Sequence, residues 1–569
     1  MTSENVGAKK VEAAQLVYGR SLRWCLFIGL GLASYVYSLD ASTTSAYLTF
    51  ATSKFSEHSL IASIAVAQSI IVAVGKPAIA KIADVSSRGY AYLSVLIFYV
   101  LGYTIIGSAA NVGTIAGGIV LYAVGLQLLT QIVIADVTTL AWRGLVSSLV
   151  NAPFLINAFI GSNISAAILK HASWRWGYGM FAILIPAALA PLIITLLWGE
   201  HRIKRSDIVQ ELESRPSRFQ QATTGNAPSV ARLVRLAGGL DLMGLVLLGA
   251  SVSLVLLPLT LSQTVSGGWK NASLIVMLII GIALLGVFLV WDLRVAKHPV
   301  ISLRIVRNRS VFLASFIGFF DFVSFYLTFT YLYSFIVVVK PWSLLDATYF
   351  MQTQSVSLTF FGILAGVFMR FLRGYKHLLL IGLTIRLVGV ALMLHSRGAN
   401  GSTVELVWTQ ILQGIGGGFA AVSVQVGVQA AVPHADVAMI GGAVGNACAG
   451  AIWSNTMPRN LEKYLPGLTS EQRAAIYSSV TTAASGPRGD PVKEGVIQAY
   501  GDTMNSMVIA ALVMSTIPIV LAFAMPNYAL GDHQNAVDHT NLNGTTAEDE
   551  DIRDHLEVFR GQNISRAYV

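Results

Sequence analysis

An all-α polytopic membrane protein of about fourteen transmembrane helices is the fold class that this 569-residue sequence predicts. Three observations carry that expectation. Hydrophobic residues make up 54% of the chain and charged residues 12%, against roughly a quarter charged in a soluble domain; mean hydropathy is +0.64. Apolar runs of about 20 residues, enough to cross a bilayer as helix, recur from one end of the chain to the other. The polar breaks between them are short, which leaves no room for a large soluble domain.

The spans fall near residues 24–50, 60–83, 91–110, 112–134, 145–169, 177–198, 240–261, 274–291, 311–339, 347–372, 378–394, 404–432, 437–453 and 507–525. Residues 1–23 are polar for longer than the leading region of a cleaved signal and run into a full-length span, so the first helix is expected to be retained. Cys25 and Cys448 both lie in apolar segments, which excludes a disulfide framework and a cysteine metal cluster. No metal site or cofactor is expected. The net charge of +9 does not point to nucleic acid, because in a membrane protein the placement of charge outweighs its sum.

With the N-terminus in the cytoplasm, the inside loops collect Arg88, Arg143, a cluster from Arg202 to Arg235, Arg294 to Arg309, and Arg370 to Lys376. That asymmetry follows the positive-inside rule and places both termini in the cytoplasm. The sequons at Asn271 and Asn400 then fall outside. The basic stretch 199–239 reads as a cytoplasmic linker. It separates a first bundle of six spans, 24–198, from an extra pair, 240–291, and a second bundle of six, 292–527. The tail, 528–569, contains TTAEDEDIRDHLE and reads as acidic and disordered. An outside segment, 458–505, carries Tyr464, Ile476, Tyr477 and Tyr500 among turn residues, which fits either a fold over an outer mouth or a loose loop.

Ionisable groups inside the spans are the sharpest functional signal, since each costs about 2.5 to 3.5 kcal/mol if it faces lipid. Asp40 lies in the first span, beside Ser42, Thr43 and Thr44, and Asp321 lies in the ninth, the first span of the second bundle. Both are expected to face one central cavity, where a carboxylate can take up and release protons; a buried carboxylate satisfied by neighbouring hydroxyls or by a basic partner is the plainer reading of each. Arg386 is expected to answer Asp321 or Glu405. Lys76 either snorkels inward or pairs with a carboxylate such as Asp136.

Aromatic and amide side chains gather in the later spans: Tyr326, Tyr331 and Tyr333, then Gln354, then Trp408, Gln410 and Gln413. Most aromatics in such spans face lipid or pack between helices. Amides are stronger candidates, because an amide in hydrocarbon needs a partner or a wet cavity. Gly414 with Gly418, and Gly441 with Gly445, have the small-residue spacing that lets helices approach closely.

The string AIAKIADVSSRG puts Asp84 four residues before Arg88 at a cytoplasmic helix end. It resembles the loop motif of the major facilitator superfamily, with Ala80 and Ser87 where that motif has glycine. Longer strings are more specific. YSLDASTTSAYLTFATSKF, QIVIADVTTLAWRGLVSSLVNAPFLINAFIGSNI, LQGIGGGFAAVSVQVGVQAAVPHADVAM and SNTMPRNLEKYLP are similar to the fungal siderophore iron transporter family, a fourteen-span branch of that superfamily. The resemblance runs from Tyr35 to about Tyr528.

It implies a major facilitator fold of two six-helix bundles plus two extra helices, working as a monomer in the plasma membrane with cycling through endosomal vesicles. It implies import of a ferric siderophore, a hydroxamate chelate, by alternating access and proton symport, with iron present only as part of the cargo. On that reading Asp40, Tyr326, Tyr331, Tyr333, Gln354, Trp408, Gln410 and Gln413 bind the chelate. Asp40, Asp321, Glu405 and Arg386 couple protons, and Lys76, Asp84, Arg88, Asp136 and Arg143 form the cytoplasmic gate. One departure stands out: after PHADVAM the family pattern continues with a further apolar stretch containing a glutamate, whereas Met439 runs straight into Ile440 and Gly441. The thirteenth span is then about 17 residues, the lower limit for crossing.

Three alternatives remain. A proton-coupled exporter or exchanger of glutathione or drugs shares the span plan, although the glycine-proline-glycine signature of drug antiporters is missing from the fifth span. A nontransporting receptor has the same sequence features. An intramembrane enzyme lacks support, because no His/Glu ligand spacing, nucleophile elbow or phosphate loop occurs.

Overall fold

A computed structural model describes residues 20–55, 60–85, 88–122, 129–130, 132–134, 140–203, 241–261, 265, 268–296, 308–398, 401–431, 441–528 and 530. Among these, every regular element is helical, and eleven helices are long and apolar enough to cross a membrane. The expected spans near 60–83, 112–134 and 437–453 coincide with helices Ile61–Val85, Val112–Tyr122 and Gly441–Tyr464, which are shorter or less apolar over their described lengths.

The first bundle comprises α1 (Arg20–Lys54), α2 (Ile61–Val85), α3 (Arg88–Gly107), α4 (Val112–Tyr122), α5 (Leu140–Val150) continued by α6 (Pro153–His171), and α7 (Trp174–Gly179) continued by α8 (Phe181–Ile203). The fifth span divides at Pro153, which stands at the first turn of α6, where the missing N–H leaves no bond unmade. One apolar core joins α1, α3, α4, α7 and α8.

The extra pair, α9 (Leu242–Leu261) and α10 (Ala272–Val290), packs as a hairpin in which Gly281 admits the backbone of Leu254; a Cβ there would lie 2.9 Å from the Leu254 carbonyl carbon. The pair is joined to the first bundle through α9, whose Thr260 hydroxyl accepts from Ser63 of α2 at 2.9 Å.

The second bundle comprises α11 (Arg309–Phe329), α12 (Leu332–Val339), α13 (Leu344–Leu372), α14 (Lys376–Ser396), α15 (Thr403–Ala431), α16 (Gly441–Tyr464), two short helices α17 (Ser470–Ser478) and α18 (Val480–Ala484), and α19 (Pro491–Ala524). The ninth span, expected as one helix, breaks at Thr330–Tyr331. Tyr331 leaves the helical path to stack on Trp453, with centroids 4.1 Å apart and planes 5° from parallel. The buried guanidinium of Arg397 donates to the carbonyl of Thr328 beside the break.

Segment 458–505 is folded, and the spans on either side of it are longer than expected. Helix α16 runs on to Tyr464, so the thirteenth span does not stop at residue 453, and α19 begins at Pro491, well before residue 507. Between them α17 and α18 bury Ile476, Val480 and Ala483 in the second bundle's core. The buried Lys493 ammonium closes α18 by donating to the carbonyls of Ala483 at 3.1 Å and Ala484 at 2.9 Å. A cap of this kind satisfies backbone acceptors that a helix end otherwise leaves open.

The bundles meet along α13, which lies against α5 and α6. At one end the Arg370 guanidinium sits 4.8 Å from the centre of the Trp142 ring; further along, the Ser148 hydroxyl donates to the Gly362 carbonyl at 2.9 Å. Gly366 lets the backbones touch, since a Cβ there would lie 2.7 Å from the Leu145 Cα. Toward the other end Asn163 donates to the Tyr349 hydroxyl at 2.8 Å. A second seam joins α2 to α16, where Asn446 donates to Ser69 at 3.1 Å and accepts from Thr330 at 3.0 Å.

Candidate functional site

Asp40 sits near the middle of α1, with 5% of its surface exposed. The neighbouring hydroxyls do not satisfy its side chain. Ser42 donates to the Ser38 carbonyl at 2.6 Å, Thr43 to that of Leu39 at 3.0 Å and Thr44 to that of Asp40 itself at 2.9 Å. These are the back-bonds that serine and threonine make inside helices, so the hydroxyls beside Asp40 in sequence do not supply its partner.

The carboxylate is instead walled by phenol rings. Tyr37 and Tyr47 of α1, Tyr99 and Tyr103 of α3, Tyr122 of α4 and Tyr178 of α7 all lie within electrostatic reach of it. Glycines make this cluster possible. At Gly102 a Cβ would fall 2.7 Å from the Gly118 carbonyl oxygen, and this close approach of α3 and α4 brings Tyr103 and Tyr122 into a stack with centroids 4.6 Å apart. At Gly177 a Cβ would fall 2.7 Å from the Tyr47 ring, and Tyr47 packs edge-on against Tyr178 at 5.8 Å.

Asp40 Oδ1 is buried without a hydrogen bond, as are the hydroxyls of Tyr47 and Tyr103. The Tyr103 hydroxyl reaches toward the carboxylate without closing a well-formed bond. Among the described groups acting on Asp40, none is basic.

Asp321 has the opposite surroundings. Arg386 of α14 donates Nη1 to Asp321 Oδ2 at 2.6 Å and Nη2 to the Asp321 carbonyl at 3.2 Å. The guanidinium lies 5.9 Å from the Phe325 ring centre, and Gln413 of α15 donates to the Arg386 carbonyl at 2.8 Å. Helices α14 and α15 come together at Gly416, where a Cβ would lie 2.5 Å from the Gly382 carbonyl oxygen and 2.7 Å from the Arg386 nitrogen. Arg386 therefore answers Asp321 rather than Glu405.

Glu405 lies at the exposed start of α15, accepting from the Ser402 nitrogen at 3.0 Å and facing His395 at 3.5 Å. Its carboxylate closes a helix end and does not enter the Arg386 group.

The expected cargo residues separate. Gln354, Gln410 and Gln413 are buried in the second bundle, and Gln410 Nε2 has no hydrogen-bond partner. Tyr326 lies within reach of Tyr37 across the bundles and packs edge-on to Phe325 at 5.0 Å. Tyr333 keeps a buried hydroxyl without a partner. Tyr331, 1% exposed, is committed to its stack on Trp453, which makes it a packing residue rather than a cargo contact. Trp408 is 55% exposed and joins none of these groups.

Of the expected gate, Arg88 and Arg143 are fully buried. The side chains of Lys76 and Asp84, and the whole of Asp136, lie outside the described residues, as do the linker after Ile203 and nearly all of the acidic tail.

One bundle crossing escaped the sequence reading: Gln352 of α13 donates to the Ser42 carbonyl of α1 at 3.1 Å, two residues from Asp40. The tyrosines around Asp40 also escaped it. Their signal was available as Tyr99 and Tyr103 one turn apart on a single helix face.

No family model matches the sequence. The chain is 35% identical to the siderophore transporter fer7 of Mycosarcoma maydis, over 99% of this chain and 89% of that protein. It is 35% identical to the siderophore iron transporter mirC of Emericella nidulans, over 94% and 89%, and 33% identical to the low affinity heme transporter str3 of Schizosaccharomyces pombe, over 94% and 87%. Among solved structures it superposes on a sulfate-bound peptide transporter, POT, with a TM-score of 0.53 and 13% identity, over 89% of this chain and 95% of that one. The shared fold is that of the major facilitator superfamily.

Proposed function

Because the chain belongs to the fungal siderophore iron transporter family, we propose that it imports a ferric siderophore, a hydroxamate chelate, by alternating access of its two bundles in symport with protons. It is a membrane transporter and not an enzyme. The observation that carries the proton-coupled reading is the unlike pair of intramembrane carboxylates: Asp40 with no basic partner among the described residues and Asp321 bound to Arg386. A carboxylate held without a cation at mid-membrane is stable as the neutral acid and costly as the anion, which is the property a proton carrier needs.

In this scheme the bundles rock on the seams of α13 with α5 and α6, and of α16 with α2. The buried amides of Gln410 and Gln413, with Tyr326, belong to the surface that meets the chelate, a bulky and weakly charged cargo that aromatic faces and amides suit. The working unit is a monomer in the plasma membrane, cycling through endosomal vesicles, with both termini in the cytoplasm.

The test supplies radiolabelled iron as several hydroxamate chelates, and separately as haem, to cells without their own uptake systems that express this chain. Accumulation that requires a hydroxamate chelate and collapses with a protonophore is the expected result. Iron accumulation from haem alone, or glutathione efflux without iron accumulation, would overturn it.

A further inference from the structure

The carboxylate of Asp40 must exist as an anion for part of any proton cycle, and the first bundle offers it no described cation. Bulk water has little access to it, because Asp40 is 5% exposed. A buried anion without a counter-charge persists only if hydrogen-bond donors turn toward it. The bundle holds two such donors in reserve. The hydroxyls of Tyr103 and Tyr47 are buried without a well-formed hydrogen bond, Tyr103 reaching toward Asp40 and Tyr47 toward Thr43, and both lie within electrostatic reach of the carboxylate. An unpartnered buried hydroxyl is itself unfavourable by about 1 to 3 kcal/mol, so two of them beside an unpartnered carboxylate oxygen call for a common explanation.

The other groups on this site supply no substitute. Tyr178 spends its hydroxyl on the Thr44 carbonyl at 3.2 Å, and Tyr122 and Tyr99 are fixed by ring packing at 5.8 Å from each other. Tyr37 turns toward Phe154, 6.1 Å away, and toward Tyr326 of the second bundle. Helix α6 brings Asn157, whose amide nitrogen is spent on the Tyr35 carbonyl at 2.8 Å and on Ser38. Helix α8 brings Phe181, and the Lys76 side chain of α2 lies outside the described residues.

We propose that Tyr103, assisted by Tyr47, is a positioning residue for proton coupling: its hydroxyl rotates to donate to Asp40 when the carboxylate ionises and turns away when the acid re-forms. The proton leaves or joins the carboxyl oxygen alone, and the phenol O–H bonds stay intact throughout. The inference rests on the symport reading and adds to it that the pH of coupling is set inside the first bundle, by neutral donors, apart from the Arg386 and Asp321 group. Removing a donor that favours the anion makes protonation easier, so the working pH shifts upward.

The test uses the full chain in proteoliposomes, with ferrioxamine B carrying radiolabelled iron as the probe and accumulation measured across a series of outside pH values. For Tyr103→Phe, the pH of half-maximal accumulation is expected to rise by about 0.5 to 1 unit, the equivalent of one lost hydrogen bond. For Tyr47→Phe the rise is smaller. Gly281→Ala, which forces apart α9 and α10 away from the tyrosines, lowers the amount of folded transporter while its pH midpoint stays in place.

A Tyr103→Phe protein with the wild-type midpoint, or a Gly281→Ala protein with the same upward shift, would overturn the inference. If Tyr103→Phe does not fold, the shift in Tyr47→Phe decides, and its absence counts against the proposal. Wild-type uptake that ignores the pH gradient would instead defeat the symport reading, and the inference with it.

Discussion

The two bundles of this transporter each bury one carboxylate in a membrane helix and stabilise it by opposite means. In the second, Arg386 neutralises Asp321 at 2.6 Å and is held in turn by a close packing of two helices. In the first, Asp40 lies among six tyrosines and has no described basic partner. Burial alone therefore does not tell a structural charge from a working one. The partner does: a cation fixes the protonation state, whereas a ring of neutral hydroxyls permits two states.

That contrast makes its strongest claim about stability. Asp321→Asn strands a buried guanidinium and is expected to cost about 3 kcal/mol or more, read as a fall in melting temperature of the detergent-solubilised protein. Asp40→Asn strands no described cation and is expected to cost less than about 1 kcal/mol. Equal losses in the two variants would break the comparison.

A further large effect belongs to the break in the ninth span. Tyr331→Ala removes a ring stacked on Trp453 in a fully buried site and should cost roughly 3 kcal/mol, whereas Tyr331→Phe keeps the stack and should be close to neutral in the same melting assay. A large loss in the phenylalanine variant would show that the Tyr331 hydroxyl, and not its ring, matters.

Gly177→Ala pushes a methyl to 2.7 Å from the Tyr47 ring and is expected to cost about 1 to 3 kcal/mol through overpacking. It tests whether the tyrosine cluster is as closely fitted as its geometry implies. The smallest effect is expected at Glu405. Glu405→Gln changes an exposed cap and should leave iron accumulation unaltered; a loss of proton dependence there would return Glu405 to the coupling groups.

Much of the architecture was legible in the sequence because spanning helices announce themselves by length and apolarity. The all-helical plan could be anticipated, and so could the need of Arg386 for an acid, because a buried arginine several turns inside a helix needs one; the choice of Asp321 over Glu405 came only from the packing. What could not be read were features set by contact between distant helices. The tyrosines around Asp40 come from four helices and meet only because glycines at 102 and 177 bring those helices close. The break at Thr330–Tyr331 contains no proline or glycine, so no local signal marks it; Trp453 and Arg397, both remote in sequence, hold it open. The turn-rich segment 458–505 fitted either a folded cover or a loose loop, and only contact with the second bundle decides that its spaced apolar residues bury against a core.

The division of labour between the carboxylates is tested most directly by comparing Asp40→Asn and Asp321→Asn in proteoliposomes, with two measurements on the same preparation: accumulation of labelled ferric chelate driven by a pH gradient, and exchange of labelled for unlabelled chelate without one. Asp40→Asn is predicted to abolish gradient-driven accumulation while exchange continues, since exchange needs no net proton movement, and Asp321→Asn is predicted to depress both together with the amount of folded protein. Gradient-driven accumulation at the wild-type level in Asp40→Asn would contradict the account.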